Sequence, residues 1–165
     1  MDRYHYTECG LDYVWLLNGF ETVETGYGPA VHVENVEGLH RMIGEHVVGL
    51  DRPLAGPEVR FLRESMELSQ RELGELLGLR DGQQIMKVEN GRRALRAAAD
   101  QSLRAMYLEH EHSDFRLEVR RLLVALRDAR AHGARESKVP TPLELEAGEH
   151  AWRMLARVGG GANAR

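Results

Sequence analysis

Only one cysteine, Cys9, stands in the sequence, so neither an internal disulfide nor a thiolate zinc site can be built from cysteine alone. A secreted disulfide scaffold and a zinc finger are both excluded. No apolar run approaches the roughly 18 residues that a membrane-spanning helix needs. Met1 to Gly10 has neither the basic stretch nor the apolar core of a secretion signal. A cytoplasmic protein with no membrane role is therefore expected. Bulk positive charge is missing as well: the net charge is −4, and residues 1–55 carry three arginines against nine acids, a net −6, whereas 56–97 and 98–165 are each +1. Any nucleic-acid binding must come from arrangement and not from a polycation. Nucleophile motifs, phosphate-binding glycine loops and carboxylate pairs at useful spacing are also lacking, so catalysis has no support. What is present, 165 residues of which 42% are apolar, is an ordinary globular chain long enough to bury a core.

The patterning predicts an α+β protein in three segments: an α+β module over 1–54, an all-α domain over 55–112 and a helical, partly mobile tail over 113–165. In the first, Tyr13, Val14, Trp15, Leu16 and Leu17 read as a strand, and Asn18-Gly19 supplies the residue types of a type I′ turn into Phe20–Thr25. That hairpin would set Trp15 opposite Thr22 and Leu17 opposite Phe20. A second turn at Gly26–Pro29 leads to a third strand, Ala30–Val33, completing a small antiparallel sheet. Asn35 then looks like a helix N-cap before Val36, Leu39, Ile43, Val47 and Leu50, and this helix is expected to cover the sheet. Asp51–Ala55, with Pro53, reads as a linker. In the tail, Ser113 caps an amphipathic stretch with Phe115, Val119, Leu122, Leu123 and Leu126 on one face, Ala131–Thr141 is polar, and a short helix is predicted around Trp152, Leu155 and Val158 before a fraying Gly159–Gly161.

The central segment carries the chemistry. Pro57 suits the first turn of a helix whose inner stripe is Val59, Leu62 and Met66. Ser69-Gln70-Arg71-Glu72 is a capping box that starts a second helix, and Gly78 is the residue type that ends it. A third helix follows, capped by Asp81 and closed by Asn90-Gly91, with Ile85 and Val88 turned inward and Gln83, Gln84 and Lys87 outward. Two short helices joined by a tight turn form a helix-turn-helix, whose second helix enters the major groove. Gln pairs with the N6 and N7 edge of adenine, and Lys donates to guanine O6 and N7.

Leu68-Ser69-Gln70, Leu73, Leu77-Gly78 and Glu89-Asn90-Gly91 together resemble the LSQxxLAxxLG…ENG signature of the XRE/Cro-type helix-turn-helix proteins, over residues 59–95. Two departures stand out: Gly74 replaces the usual Ala, and the stretch from Gly78 to Glu89 is one residue longer. The resemblance implies that Gln70 contacts phosphate, that Gln83, Gln84 and Lys87 read bases, and that Asn90, Arg92 and Arg93 contact the backbone after the recognition helix. A hairpin module ahead of such a domain is similar to the layout of the MqsA/YgiT group of antitoxins and regulators. Tyr6–Gly10 then looks like a decayed CxxCG with Tyr6 in place of the first cysteine, and the second CxxC pair is absent.

These features predict a sequence-specific regulator of transcription that binds double-stranded DNA as a homodimer on a pseudo-palindromic operator, most simply as a repressor. The alternative is an antitoxin whose acidic N-terminal module binds a basic toxin protein. The stripe Leu103, Met106 and Tyr107 with Leu108, following the recognition helix, is the expected dimer interface. Cys9 with His5, His32, His40 and His46 fits no zinc-ligand spacing, and His110 and His112 do not share a helix face with Glu111, so no metal or cofactor is expected. A chelator should therefore leave the melting temperature unchanged, and Cys9→Ser should have only a packing effect. Stoichiometric zinc in purified protein, lost on that substitution, would refute this.

Overall fold

The computed structural model describes residues 3–111, 142–148 and 151–155. Its elements are β1 (Tyr4–His5), β2 (Val14–Leu16), β3 (Phe20–Thr25), β4 (Gly28–Val33), α1 (Val36–Val48), α2 (Gly56–Ser65), α3 (Gln70–Leu76), α4 (Gly82–Glu89), α5 (Ala97–Glu111), β5 (Leu143–Ala147) and β6 (Trp152–Met154). The fold is mixed α+β, with strands ahead of five helices.

The strand pairing differs from the expected hairpin. β2 does not pair with β3; it lies between β1, antiparallel, and β5, parallel, in a four-stranded sheet of order β1-β2-β5-β6. Trp15 is opposite His5 and Glu144, and Phe20 is opposite Val33 in a separate β3–β4 ribbon. A type I′ turn needs positive φ at both central residues, and only Gly19 has it, at 72°. The Asn18 amide is used elsewhere: it donates to the Ala147 carbonyl at 3.2 Å and accepts from the Ala147 N–H at 2.6 Å. Val14 and Leu16 are fully buried. A strand so buried needs ladder partners on both edges, which β1 and β5 supply and a lone hairpin would not. The turn into β4 does form, with Gly28 at φ 110°.

The tail departs from the reading as well. Residues 143–147 and 152–154 are strands, not helix. Leu143 and Leu145 point into the core while Glu144 and Glu146 lie at its edge, and the antiparallel β5–β6 pair brings in Trp152, only 3% exposed. The Trp152 indole donates to the carbonyls of Glu34 and Asn35, where β4 gives way to α1. A Cβ on Gly19 would stand 2.8 Å from that ring and 2.7 Å from the Ala147 Cβ, so glycine is required there by contact as well as by φ. The amphipathic stretch from Phe115 and the polar stretch to Thr141 lie outside the described residues.

Asn35 caps α1 as expected, its side chain accepting from the Gly38 N–H at 3.1 Å. Leu39, Ile43 and Val47 are fully buried, and one hydrophobic cluster runs from the sheet through α1 to α2–α5. The stretch between α1 and α2 is pinned down. Arg104, 1% exposed, pairs with Asp100 at 2.7 Å and donates to the carbonyls of Val48, Leu50 and Arg52. Asp100 also accepts from the Leu54 N–H, at 2.8 Å. Arg52 in turn grips the buried Glu58 carboxylate with two nitrogens, while Tyr13 and the Ala55 N–H donate to the same group.

The expected dimer stripe belongs to this core. Leu103 and Tyr107 are fully buried and Leu108 is 6% exposed, with Tyr107 filling the space above Gly44; Met106 alone of the four is half-exposed. α5 turns Leu103, Tyr107 and Leu108 toward α1 and α2, which leaves only Met106 of the four partly open to a second copy. Leu108→Glu should therefore unfold the protomer instead of releasing a folded monomer. Arg104→Ala should cost about 3–5 kcal/mol in urea unfolding, since it strands a buried carboxylate and three carbonyls. A loss near 1 kcal/mol would mean that the cluster contributes little.

Candidate nucleic-acid interface

Three successive helices end in one way. At the end of α2, Leu68 N–H reaches back to the Arg63 carbonyl and Glu67 N–H to that of Glu64; α3 repeats this with Leu79 to Gly74 and Gly78 to Glu75, and α4 with Arg92 to Lys87 and Gly91 to Val88. Each is a Schellman motif, which requires a left-handed residue at C′. Those residues are Glu67, Gly78 and Gly91, at φ 56°, 68° and 69°. At the other ends, Ser69 and Glu72 form the reciprocal capping box, and the Asp81 carboxylate accepts from the Gln84 N–H at 3.2 Å. Both expected N-caps are thus in place.

Two glycines let α3 and α4 approach. A Cβ on Gly82 would meet the Arg71 backbone nitrogen at 2.9 Å, so the start of α4 rests directly on the start of α3. A Cβ on Gly74 would lie 3.2 Å from the Asp81 carbonyl oxygen, tighter than ordinary contact. Glycine at 74 thus lets the Asp81 carbonyl lie over α3. A third, Gly56, would set a Cβ at 2.5 Å from the carbonyls of Val88 and Glu89, so α2 begins against the end of α4.

Glu89, 5% exposed, ties the three helices together. Arg63 holds its two oxygens at 2.6 and 3.2 Å, Arg60 approaches at 3.4 Å, and the Gln70 amide donates at 2.7 Å. Burial pushes the Glu89 carboxyl up, but the hydrogen bonds from Arg63 and Gln70 and the two arginine charges outweigh it and hold it below the usual carboxylate range. Arg60 also reaches Asn90 Oδ1 at 3.5 Å. Among the described residues one Gln70 amide N–H and the Asn90 NH2 have no partner, and both can reach an outside acceptor.

With Ile85, Val88 and Glu89 buried, the outer face of α4 consists of Gln83, Met86 and Lys87, all exposed, and Gln84 is half-buried on its flank. A groove of about 520 Å³ between α3 and α4 is lined by Gln70, Arg71, Arg80, Gln83 and Met86. On the opposite side of α4, Gln84 lines a second hollow of about 390 Å³ with Arg80, Arg93 and Arg96. There the Arg93 guanidinium donates to the Gln84 side-chain oxygen at 3.2 Å. The two glutamines therefore face different sides of the helix. Arg80, Lys87, Arg92 and Arg96 have no ion-pair partner among the described residues.

Sequence reasoning passed over three contributors. Met86, 38% exposed, was missed because apolar residues were assigned inward, although it lies three residues from Gln83 on the same face. Arg80 and Arg60 belong to the turn and to α2, and only the packing brings them to α4. No cluster of three potential metal ligands occurs among the described residues. No family model matches the chain, and no curated protein or solved structure is found to be similar to it.

Glu89 generates a pH prediction. A carboxyl with a lowered folded value adds stability that is present above its ordinary value of 4.5 and lost as the pH falls through the folded value. Glu89→Gln should cost about 3–5 kcal/mol at pH 7 and flatten the fall in urea midpoint between pH 5 and acid. A variant with an acid limb as steep as the parent's would assign that limb to other carboxyls.

Proposed function

We propose that the chain is a sequence-specific double-stranded-DNA-binding regulator of transcription, resembling the XRE/Cro-type proteins, with α4 as the helix that enters the major groove. The observation that carries the reading is the outer face of α4. Gln83 and Lys87 offer an amide and a cation to base edges, Met86 offers an apolar contact for a thymine methyl, and three further cations without ion-pair partners among the described residues, Arg80, Arg92 and Arg96, flank them. Gln70 and Asn90, oriented through Glu89 and Arg60, keep donors suited to phosphate, as do Arg92 and Arg80.

One such helix spans only a few base pairs, so the regulator acts as a homodimer on a pseudo-palindromic site, with half-sites about one helical turn, ~34 Å, apart. Repression by occupancy of the operator is the simplest mode.

A second reading, an antitoxin that captures a basic toxin protein, draws on a different surface. Residues 4–40 contain no lysine or arginine. The β3–β4 ribbon is exposed along most of its length, with Glu21 and Glu24 beside Val23, Val31 and a fully exposed Tyr27. Such a surface complements a basic partner, and the two readings are compatible in one protein.

Binding to duplexes selected from a random pool tests the main reading. Gln83→Ala should lose about 1–3 kcal/mol on the selected site and little on random DNA. Arg92→Ala should weaken both alike and lower the salt slope by about one. Equal losses for Gln83→Ala on both duplexes, or an unchanged slope for Arg92→Ala, would move these residues away from the DNA.

A further inference from the structure

We propose that Gln84 and Arg93 act as one unit that reads guanine, because their hydrogen bond places a guanidinium beside the Gln84 amide and makes the flank of α4 rich in donors. The inference rests on α4 being the groove-entering helix, and it replaces the expectation that Gln84 pairs with adenine.

The bond itself sets the orientation of the amide. Arginine has donors and no acceptor, so the group that receives the Arg93 Nη1 proton at 3.2 Å can only be the Gln84 oxygen. The usual ambiguity between the oxygen and nitrogen of a side-chain amide is thereby removed. The Gln84 side chain is half-buried between α4 and the segment that follows it, which limits its freedom to turn over. Arg93 is exposed, and its remaining N–H groups have no partner among the described residues. The outward edge of the pair is then the Gln84 NH2 beside a guanidinium.

Base chemistry selects among partners for that edge. Guanine presents two acceptors in the major groove, N7 and O6, whereas adenine presents one acceptor and the N6 amino donor. A glutamine reads adenine by donating to N7 and accepting from N6. Here the oxygen already accepts from Arg93, and an N6 amino group brought to its second lone pair would be set beside a guanidinium that has only protons to offer. Gln83 differs: it has no hydrogen-bond partner among the described residues and keeps both halves of its amide. Two adjacent glutamines thus have different base preferences, decided by a residue nine positions along the chain.

The test is selection from random duplex DNA with the full chain and with Gln84→Ala and Arg93→Ala, followed by affinities on the selected site with single base-pair changes. The parent should enrich guanine at the base pair whose preference disappears in Gln84→Ala. Guanine to adenine there should weaken parent binding by about 10- to 100-fold, and Arg93→Ala should reduce that ratio to about threefold or invert it, because the amide oxygen is released. Adenine at that pair in the parent would overturn the proposal. So would an Arg93→Ala variant that loses affinity for every duplex alike with its base preference intact, since Arg93 would then be a phosphate contact; in both cases DNA reading by α4 would stand. A parent that enriches no sequence would overturn the DNA-binding reading together with the proposal.

Discussion

The Glu89 carboxylate is the point on which the arrangement of α2, α3 and α4 depends. A buried charge of this kind is costly unless it is paired and fully hydrogen-bonded, and here the donors come from α2, through Arg60 and Arg63, and from the first residue of α3, Gln70. Satisfying one carboxylate at the end of α4 therefore fixes that helix against both neighbours. It also sets where Gln70 and Asn90 present their remaining donors. With side chains at the points of closest approach, the helices would not come near enough for this. Gly56 and Gly82 remove the Cβ atoms that would hold α4 away from α2 and α3.

A second polar cluster does comparable work at the other side of the core. Arg104 and Asp100 bind the backbone between α1 and α2, and Arg52 carries the connection on to Glu58 and Tyr13. What reads in the sequence as a linker with Pro53 is a strap of satisfied backbone groups over α5. The apolar side of α5 is taken up by the same packing, so that of the stripe from Leu103 to Leu108 only Met106 stays partly open.

Much of the candidate interface was legible in the chain because its signals are local. The capping box at Ser69 and Glu72, the Asp81 cap and the glycines at 78 and 91 each act within about six residues, and the structure has them where the sequence reading set them. The burial of Ile85 and Val88 follows from the same helical period, although the period alone cannot tell that Met86 remains outside. The strands were legible only as strands. Leu143–Ala147 alternates apolar and acidic residues with a period of two, a strand pattern within a tail whose other apolar residues have helical spacing. Asn18-Gly19 misled in the opposite sense, because its side-chain amide serves Ala147, distant in sequence.

The sequence by itself determined the helical segments of the centre, their caps and the outward chemistry of α4, since a helix is closed by hydrogen bonds among near neighbours. Tertiary structure alone decided which strands meet β2, where the α5 stripe is spent, and whether the Gln84 oxygen is free. Strand edges and side-chain acceptors take partners from anywhere in the chain, and the choice is made only when burial leaves a single set that satisfies them all.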